Sequence, residues 1–202
     1  MLPLIGCFPD QPPNQEQARV IIQTGRFGEI QVSEDEIIHI PQGLLGFPEQ
    51  TKFCLVDPGD EVLIVWLQSV SDANFAVPLL EPKIFKLDYT VRLSALELRD
   101  LKLENINQSA VFSVLTIGDD IAQMTANLKA PLVLNLRENL AKQVVLQENE
   151  YSIKYPMFKE LRAHLMTIAS SRRETTPDEA RTAQSITISA IPPSLTVKSL
   201  QN

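Results

Sequence analysis

An almost unbroken apolar run at residues 62–70 is the feature that most limits how this chain can fold. Pro58 and Gly59 precede the run, and residues 71–74 follow it with the Ser, Asp and Asn side chains that favour turns. The run is far too short to span a bilayer. We therefore predict a β-strand that is buried on both faces.

Further short strands are predicted on both sides of this run. Each has alternating or β-branched apolar residues, and turn residues separate one from the next. Pro78 lies inside one of them, which predicts an edge strand or a bulge because proline cannot donate a ladder hydrogen bond. The predicted strands are residues 18–24 and 29–32, which form a hairpin, then 37–40, 53–57, 75–80, 89–93, 110–117, 131–136 and 142–147.

Helical signals are few. Ser33 and Glu36, and again Ser94 and Glu97, have the spacing of a capping box, which predicts one helical turn and one short helix through about residue 103. Residues 157–173 place apolar side chains at helical spacing and predict one amphipathic helix. The fold class that we predict is mainly β: a small antiparallel barrel-like or roll domain with short helices and a C-terminal amphipathic helix.

The chain divides into four parts. We expect an irregular leader at residues 1–17, a β domain at 18–156, the amphipathic helix at 157–173 and a disordered tail at 174–202. Within the tail, residues 185–190 alternate like a strand and could instead add to a sheet edge. The helix could cover a sheet edge, which we favour, or it could occupy a partner's groove.

Charge and cysteine use indicate the type of partner and the compartment. The formal net charge of −7 disfavours direct binding of nucleic acid and favours basic protein partners. A direct RNA binder would need a contiguous basic face with aromatic rings. Cys54 lies in an apolar run and is expected to be a buried free thiol, as in a cytoplasmic protein. Residues 4–7, which end at Cys7, look like a lipoprotein cleavage box, but the basic and long apolar segments of a secretory signal are missing before them.

No pattern of catalytic residues stands out. His39 and His164 have no nearby cysteine or histidine cluster, so no metal site is predicted, and no cofactor motif is present. Acidic pairs occur at residues 34–36, 60–61 and 119–120. Two facing carboxylates could act as an acid and a base, which leaves a small β-barrel enzyme or ligand-binding protein as the alternative. Our first expectation is a protein without enzymatic activity.

Several stretches, taken in order, resemble the flagellar assembly factor FliW family. The block 124–135, Met-Thr-Ala-Asn-Leu-Lys-Ala-Pro-Leu-Val-Leu-Asn, is the most specific of them. Within it, Met124 and Leu128 are expected in the core, and Thr125, Asn127 and Asn135 are expected to hold a turn. The other stretches are residues 28–30, 37–47, 67–70, 75–82, 88–89 and 142–146, so the resemblance covers about residues 25–156.

The resemblance implies a small β-barrel-like fold without catalytic activity. It also implies two protein partners, flagellin and the RNA-binding translational repressor CsrA. In that family, export of flagellin leaves the factor available for CsrA, so that flagellin mRNA can be translated. Candidate contact residues come from apolar loops and from the family-like stretches: Leu44, Leu45, Phe47, Phe85, Asp88, Tyr89, Asn127 and Lys129.

Overall fold

The structure is a computed structural model that describes residues 19–59, 63–147, 150–174 and 196–198. Strands dominate it. In chain order, the elements are β1 (Arg19–Thr24), β2 (Gly28–Ser33), β3 (Ile38–His39), β4 (Lys52–Asp57), β5 (Val65–Ser69), β6 (Ala76–Leu80), α1 (Ala95–Asp100), β7 (Ala110–Thr116), β8 (Thr125–Asn135), β9 (Leu140–Gln143), β10 (Tyr155–Pro156), α2 (Phe158–Glu174) and β11 (Thr196–Lys198).

The strands close into a mixed barrel. The pairing order is β8-β7-β6-β5-β4-β3-β9, and β9 pairs back to β8, so seven strands complete the ring. Neighbouring strands are antiparallel except β3 and β9, which are parallel at His39 and Leu140. The predicted mainly β, barrel-like fold with short helices is confirmed, and the parallel pair is the one departure from an antiparallel ring.

Side chains fill the barrel and one of its flanks. One apolar cluster contains inward-facing residues of the ring, among them Phe53, Leu67 and Phe112, all nearly inaccessible to solvent. A small closed barrel of this size leaves room only for such packing. A second cluster joins Tyr89, Leu128 and other residues of the segments that flank β8. The structure therefore has a filled interior, and any contact surface must lie outside it.

The hairpin β1–β2 lies outside the ring and is confirmed as predicted. Its Ile30 and Val32 pack against Cys54 and Val56 of β4 in a third, smaller cluster. Cys54 is a buried free thiol. Burial first, and the carboxylate of Glu36 second, raise the pKa of this thiol to about 12, so it stays protonated and unreactive.

Both capping boxes are confirmed, and they begin short helical segments. Ser33 N donates to Glu36 Oε2 at 2.8 Å at the start of a 3-10 turn. Ser94 N donates to Glu97 Oε2 at 2.6 Å at the start of α1. α1 ends at Asp100, earlier than predicted, and Lys102 follows with a φ of 52° in the left-handed region.

Two strand predictions are wrong for reasons of tertiary packing. β6 is an interior strand, because it pairs with β5 through Pro78 and with β7 only beyond it, at Leu79 and Leu80. Proline thus sits where no ladder bond to β7 is needed. Residues 89–93 are irregular, because Tyr89 turns into the second cluster and none of the described strands pairs with this segment.

Residues 125–135 of the family-like block form β8, so the strand predicted at 131–136 is confirmed but begins earlier, and Thr125 and Asn127 lie in a strand where a turn was expected. Met124 and Leu128 are buried, as predicted. Asn127 and Asn135 do make side-chain to backbone bonds: Asn127 Oδ1 accepts from Ala130 N at 3.0 Å, and Asn135 Oδ1 accepts from Arg137 N at 3.1 Å. Only the second of these holds a turn, the one that leads into β9. The predicted strand at 142–147 is shifted, since β9 is Leu140–Gln143.

The C-terminal helix is observed as α2, and its first turns pack against the β domain. Leu161 is buried in the second cluster, and α2 contacts the 3-10 turn Ile121–Gln123. Leu165 and Met166 are exposed. The leader at 1–17 and the segment 185–190, which we assigned to the tail with a strand as the alternative, lie outside the described residues, whereas β11 pairs in parallel with β4.

Candidate protein-binding surfaces

A tight loop at residues 43–48, here the apolar loop, is held by its own backbone. Phe47 N donates to Leu44 O at 2.8 Å, and Gly43 N donates to Ile40 O at 2.8 Å. Gly43 has a φ of 66°, and a Cβ there would lie 2.5 Å from Phe47 O. Only glycine fits such a position, because the left-handed conformation and the close approach both exclude a side chain. The loop is therefore fixed in shape.

The apolar loop presents two large apolar side chains to solvent. Leu45 is 54% exposed and Phe47 is 46% exposed, whereas Leu44 turns inward and is buried. The ring of Phe47 meets Phe75 edge-on, with ring centroids 4.7 Å apart. Leu45 N donates to Gln143 Oε1 at 3.0 Å, which ties the loop to β9. Exposed apolar groups on a fixed loop are typical of protein contacts, because little conformational entropy is lost on binding.

A group of aromatic residues, here the tyrosine cluster, occupies the flank of β8. It consists of Phe85, Tyr89, Tyr151 and Tyr155. Ring centroids are 6.0 Å apart for Phe85 and Tyr155, and 4.8 Å apart for Tyr89 and Tyr151. Tyr89 Oη donates to Leu128 O at 2.8 Å, so its hydroxyl is satisfied inside the core. The candidates Phe85 and Tyr89 are thus buried and support β8 from within.

The loop between Phe85 and Tyr89 is the exposed rim of this cluster. Lys86 Nζ lies 2.7 Å from Asp88 Oδ1, and the carboxylate of Asp88 is exposed. The hydrogen bond to Lys86 lowers the pKa of Asp88, and the same bond raises the pKa of Lys86. Leu87, between them, is 83% exposed. Asp88 is therefore the only candidate on this loop whose side chain is available to a partner.

Asn127 and Lys129 lie on β8, beside the tyrosine cluster. The amide of Asn127 is used locally, by Ala130 N. Lys129 lines an open cavity of about 590 Å³ together with Tyr151, Ser152, Ile153 and Lys154. The eight candidate residues thus fall into two groups, three on the apolar loop and five around the tyrosine cluster and β8.

One side chain links the two groups. Gln143 Oε1 accepts from Leu45 N, and Gln143 Nε2 donates to Ala130 O at 3.0 Å. Ala130 N is in turn the donor to Asn127. This chain of hydrogen bonds fixes the apolar loop relative to the strand that carries Lys129.

Some surface residues escaped the sequence analysis. Ile153 and Leu87 are among the most exposed large apolar side chains, and Lys154 lines the cavity. Ile153 and Lys154 fall in a segment without regular periodicity, and Leu87 stands alone between polar residues. A lone apolar residue in a polar loop carries no sequence signal, because single exposed apolar residues are ordinary.

The acidic segments at residues 34–36 and 119–120 form no metal site in the described part of the chain, and residues 60–61 lie outside that part. No group of three or more His, Cys, Asp or Glu side chains is close enough there to hold a metal ion. Asp120 caps a 3-10 turn through Ala122 N at 2.9 Å, and Glu36 closes its capping box. Among the same residues, no helix has the length and apolar character that a membrane span requires.

Comparisons with known proteins assign this chain and its fold to a family. The family described as FliW protein matches residues 21–157. The chain belongs to the FliW family. Its FliW relatives carry the name flagellar assembly factor, which denotes an assembly protein and not an enzyme.

Two relatives and one solved structure show how far the likeness extends. The flagellar assembly factor FliW of Bdellovibrio bacteriovorus is 38% identical over 147 residues, 73% of this chain and 84% of the relative. That of Geobacter sulfurreducens is 38% identical over 137 residues, 68% and 86% of the two chains. A crystal structure of the flagellar assembly factor FliW superposes with a TM-score of 0.65 at 32% identity, covering 69% of this chain and 97% of that one. The barrel is thus the shared FliW body, and the family match stops before α2.

Proposed function

We propose that this chain is a cytoplasmic flagellar assembly factor that binds flagellin and antagonises the translational repressor CsrA. The observation that supports this most strongly is the FliW family match across the whole barrel, residues 21–157. The relatives' name gives the assembly role, and the two partners are those that the family resemblance implies. In this proposal the chain acts by binding alone.

The apolar loop suits flagellin. Leu45 and Phe47 stay exposed although burying them would be favourable, and hydrogen bonds hold the loop around them. Protein contacts concentrate their binding energy in a few such anchors, which fill pockets on the partner. We therefore assign the main flagellin contact to Leu45 and Phe47.

The charge of the chain suits CsrA. A formal net charge of −7 attracts a basic, RNA-binding protein and speeds its association at low salt. Competition then gives the regulation, because flagellin that occupies the factor leaves less of it for the repressor. The amount of unexported flagellin thereby sets how much CsrA is held.

The test is a competition between the two purified partners. The full chain is mixed with CsrA, the complex is isolated by size-exclusion chromatography, and flagellin is then added in increasing amounts. We expect a complex with each partner and release of CsrA as flagellin rises. A chain that forms no complex with either partner would contradict the proposed function.

A further inference from the structure

Strand β4 extends beyond the strand that covers one of its two edges. Among the described residues, β3 pairs only with the first two residues of β4. Before β3 the chain forms the 3-10 turn at residues 34–36 and so leaves the sheet. The second half of β4, residues 55–57, therefore has no partner from β3.

The backbone groups of β4 alternate between its two edges. Val70 N donates to Lys52 O at 3.0 Å, so Lys52 and every second residue after it direct their backbone N–H and C=O groups to β5. Leu55 and Asp57 consequently direct theirs to the opposite edge, past the end of β3. We call the backbone groups of these two residues the β4 edge.

The surroundings of the β4 edge are apolar and packed. Leu55 is fully buried, with its side chain in the barrel interior. Val56 is also fully buried, and its side chain packs with those of Ile30 and Val32 from the hairpin β1–β2. A buried backbone group without a partner costs free energy comparable to that of a lost hydrogen bond. The β4 edge therefore favours pairing with another strand.

The C-terminal part of the same chain supplies this strand. β11 pairs in parallel with β4, and Val197 lies opposite Val56. In a parallel ladder, a residue bonds to the two neighbours of the residue opposite it, so Val197 is placed to bond to both residues of the β4 edge. β11 also lies beside β2. It thus closes the edge where the hairpin meets the barrel.

We propose that the β4 edge is a strand-binding site whose ligand is residues 196–198 of the same chain. Strand addition takes its affinity from main-chain hydrogen bonds. The segment acts as a strap that closes the edge, and an extended segment of another protein has to displace it in order to pair with β4. The inference does not depend on flagellin or CsrA as partners.

A strand from the same chain fits this edge better than a strand from a second copy. Only residues 196–198 pair with β4, and so short a ladder binds weakly as a separate molecule. Tethering compensates for this, because it gives an effective concentration on the order of millimolar. Two copies would also repel each other, since each has a formal net charge of −7.

The first experiment measures amide hydrogen exchange in the full chain by NMR. Val197→Pro removes the backbone N–H that faces β4, and proline disfavours a paired strand. We expect the amides of Leu55 and Asp57 to exchange at least about tenfold faster in this variant. The amides of Cys54 and Val56 face β5 and are the internal control, so their exchange should stay unchanged.

A conservative variant separates the backbone from the side chain. Val197→Thr keeps the N–H group and a β-branched side chain, both of which suit a strand. The exchange rates of the Leu55 and Asp57 amides should therefore stay within about twofold of those in the unaltered chain.

The second experiment supplies the strand as a separate molecule at millimolar concentration. The probe is a peptide with the sequence of residues 194–200, and its control is the same peptide with Val197→Pro. We expect the probe to shift the amide signals of Leu55 and Asp57 saturably in the Val197→Pro chain. The unaltered chain, whose own strand occupies the edge, should need at least about tenfold more peptide. The control peptide should shift neither chain.

Four results would overturn the proposal. The first is equal exchange of the Leu55 and Asp57 amides in the unaltered chain and in Val197→Pro. The second and third are equal responses of the two chains to the probe, and equal responses to the probe and the control peptide. The fourth is a concentration-dependent dimer that Val197→Pro abolishes, which would assign the strand to a second copy. None of these results would affect the competition between flagellin and CsrA, so the two proposals fail separately.

Discussion

The apolar loop and the tyrosine cluster both include residues from stretches that resemble the FliW family, yet they differ in whether their large side chains are exposed or buried. The loop keeps Leu45 and Phe47 in solvent, and backbone hydrogen bonds around the left-handed Gly43 fix their positions. The tyrosine cluster buries Phe85 and Tyr89, and at its rim it exposes the carboxylate of Asp88 and the side chain of Leu87. Large apolar residues in family-like stretches are thus either buried in the core or exposed on a fixed loop, and their burial separates the two cases.

The largest expected effect tests the packing role of the tyrosine cluster. Tyr89→Ala should lower the free energy of unfolding by about 3–5 kcal/mol, because a fully buried aromatic side chain is lost. Tyr89→Phe, the matched control, keeps the ring, removes the hydroxyl that bonds to Leu128 O, and should cost about 1 kcal/mol. Urea unfolding followed by the fluorescence of Trp66 measures both. A small effect of Tyr89→Ala would contradict the packing role.

The next effect tests whether the apolar loop is fixed by its backbone. Gly43→Ala should cost about 3 kcal/mol, because the new Cβ would meet backbone atoms of Phe47 and Pro48. Gly46 also has a positive φ, 88°, but a Cβ there meets nothing within 4 Å. Gly46→Ala should therefore cost only about 1 kcal/mol. Thermal unfolding of the two variants compares them, and equal losses would show that steric crowding at Gly43 is not what fixes the loop.

A smaller effect is expected for the exposed side chain of the loop. Phe47→Ala should lower the free energy of unfolding by about 1 kcal/mol, since the ring is half-exposed and loses chiefly its contact with Phe75. Leu87→Ala, at the rim of the tyrosine cluster, should change it by less than about 0.5 kcal/mol. If Phe47→Ala lowered the free energy of unfolding as much as Tyr89→Ala, Phe47 would behave as a core residue, and the loop and the tyrosine cluster would not differ in this respect.

The smallest effect concerns the ion pair at the rim. Lys86 lowers the pKa of Asp88, so the pair stabilises the fold above the unfolded-state pKa of Asp88 and loses this contribution as the pH falls through the folded-state value. NMR titration of the Asp88 carboxyl carbon should give a midpoint below that of an exposed aspartate. In Lys86→Gln the midpoint should return to the ordinary value. An unshifted midpoint in the unaltered chain would mean that the pair does not persist in solution.

Local signals in the sequence predicted local structure well. The two capping boxes begin helical segments at Glu34 and Ala95, because a cap is satisfied by atoms a few residues away. The hairpin β1–β2 and most barrel strands were predicted for the same reason. Residues 89–93 were not, since their composition favours a strand while Tyr89 gains more by turning into the core.

The candidate site was predicted less completely than the fold. Sequence patterns located the apolar loop through its glycine and proline positions, but they could not decide that Leu44 turns inward while Leu45 and Phe47 stay out. They missed Lys154 and Ile153, because the cavity forms only when the segment before β10 lies beside β8. The spacing of residues along one segment cannot predict which distant segment will lie beside it in the fold.

The central claim is that the exposed side chains of the apolar loop bind flagellin. Calorimetric titration of flagellin into the full chain tests it, with Leu45→Ser plus Phe47→Ser as the variant and Leu87→Ser as the exposed apolar control. We predict binding to the unaltered chain and to the control, and affinity at least about tenfold lower for the loop variant. Absence of binding to the unaltered chain, or equal affinity for the folded loop variant, would contradict the claim.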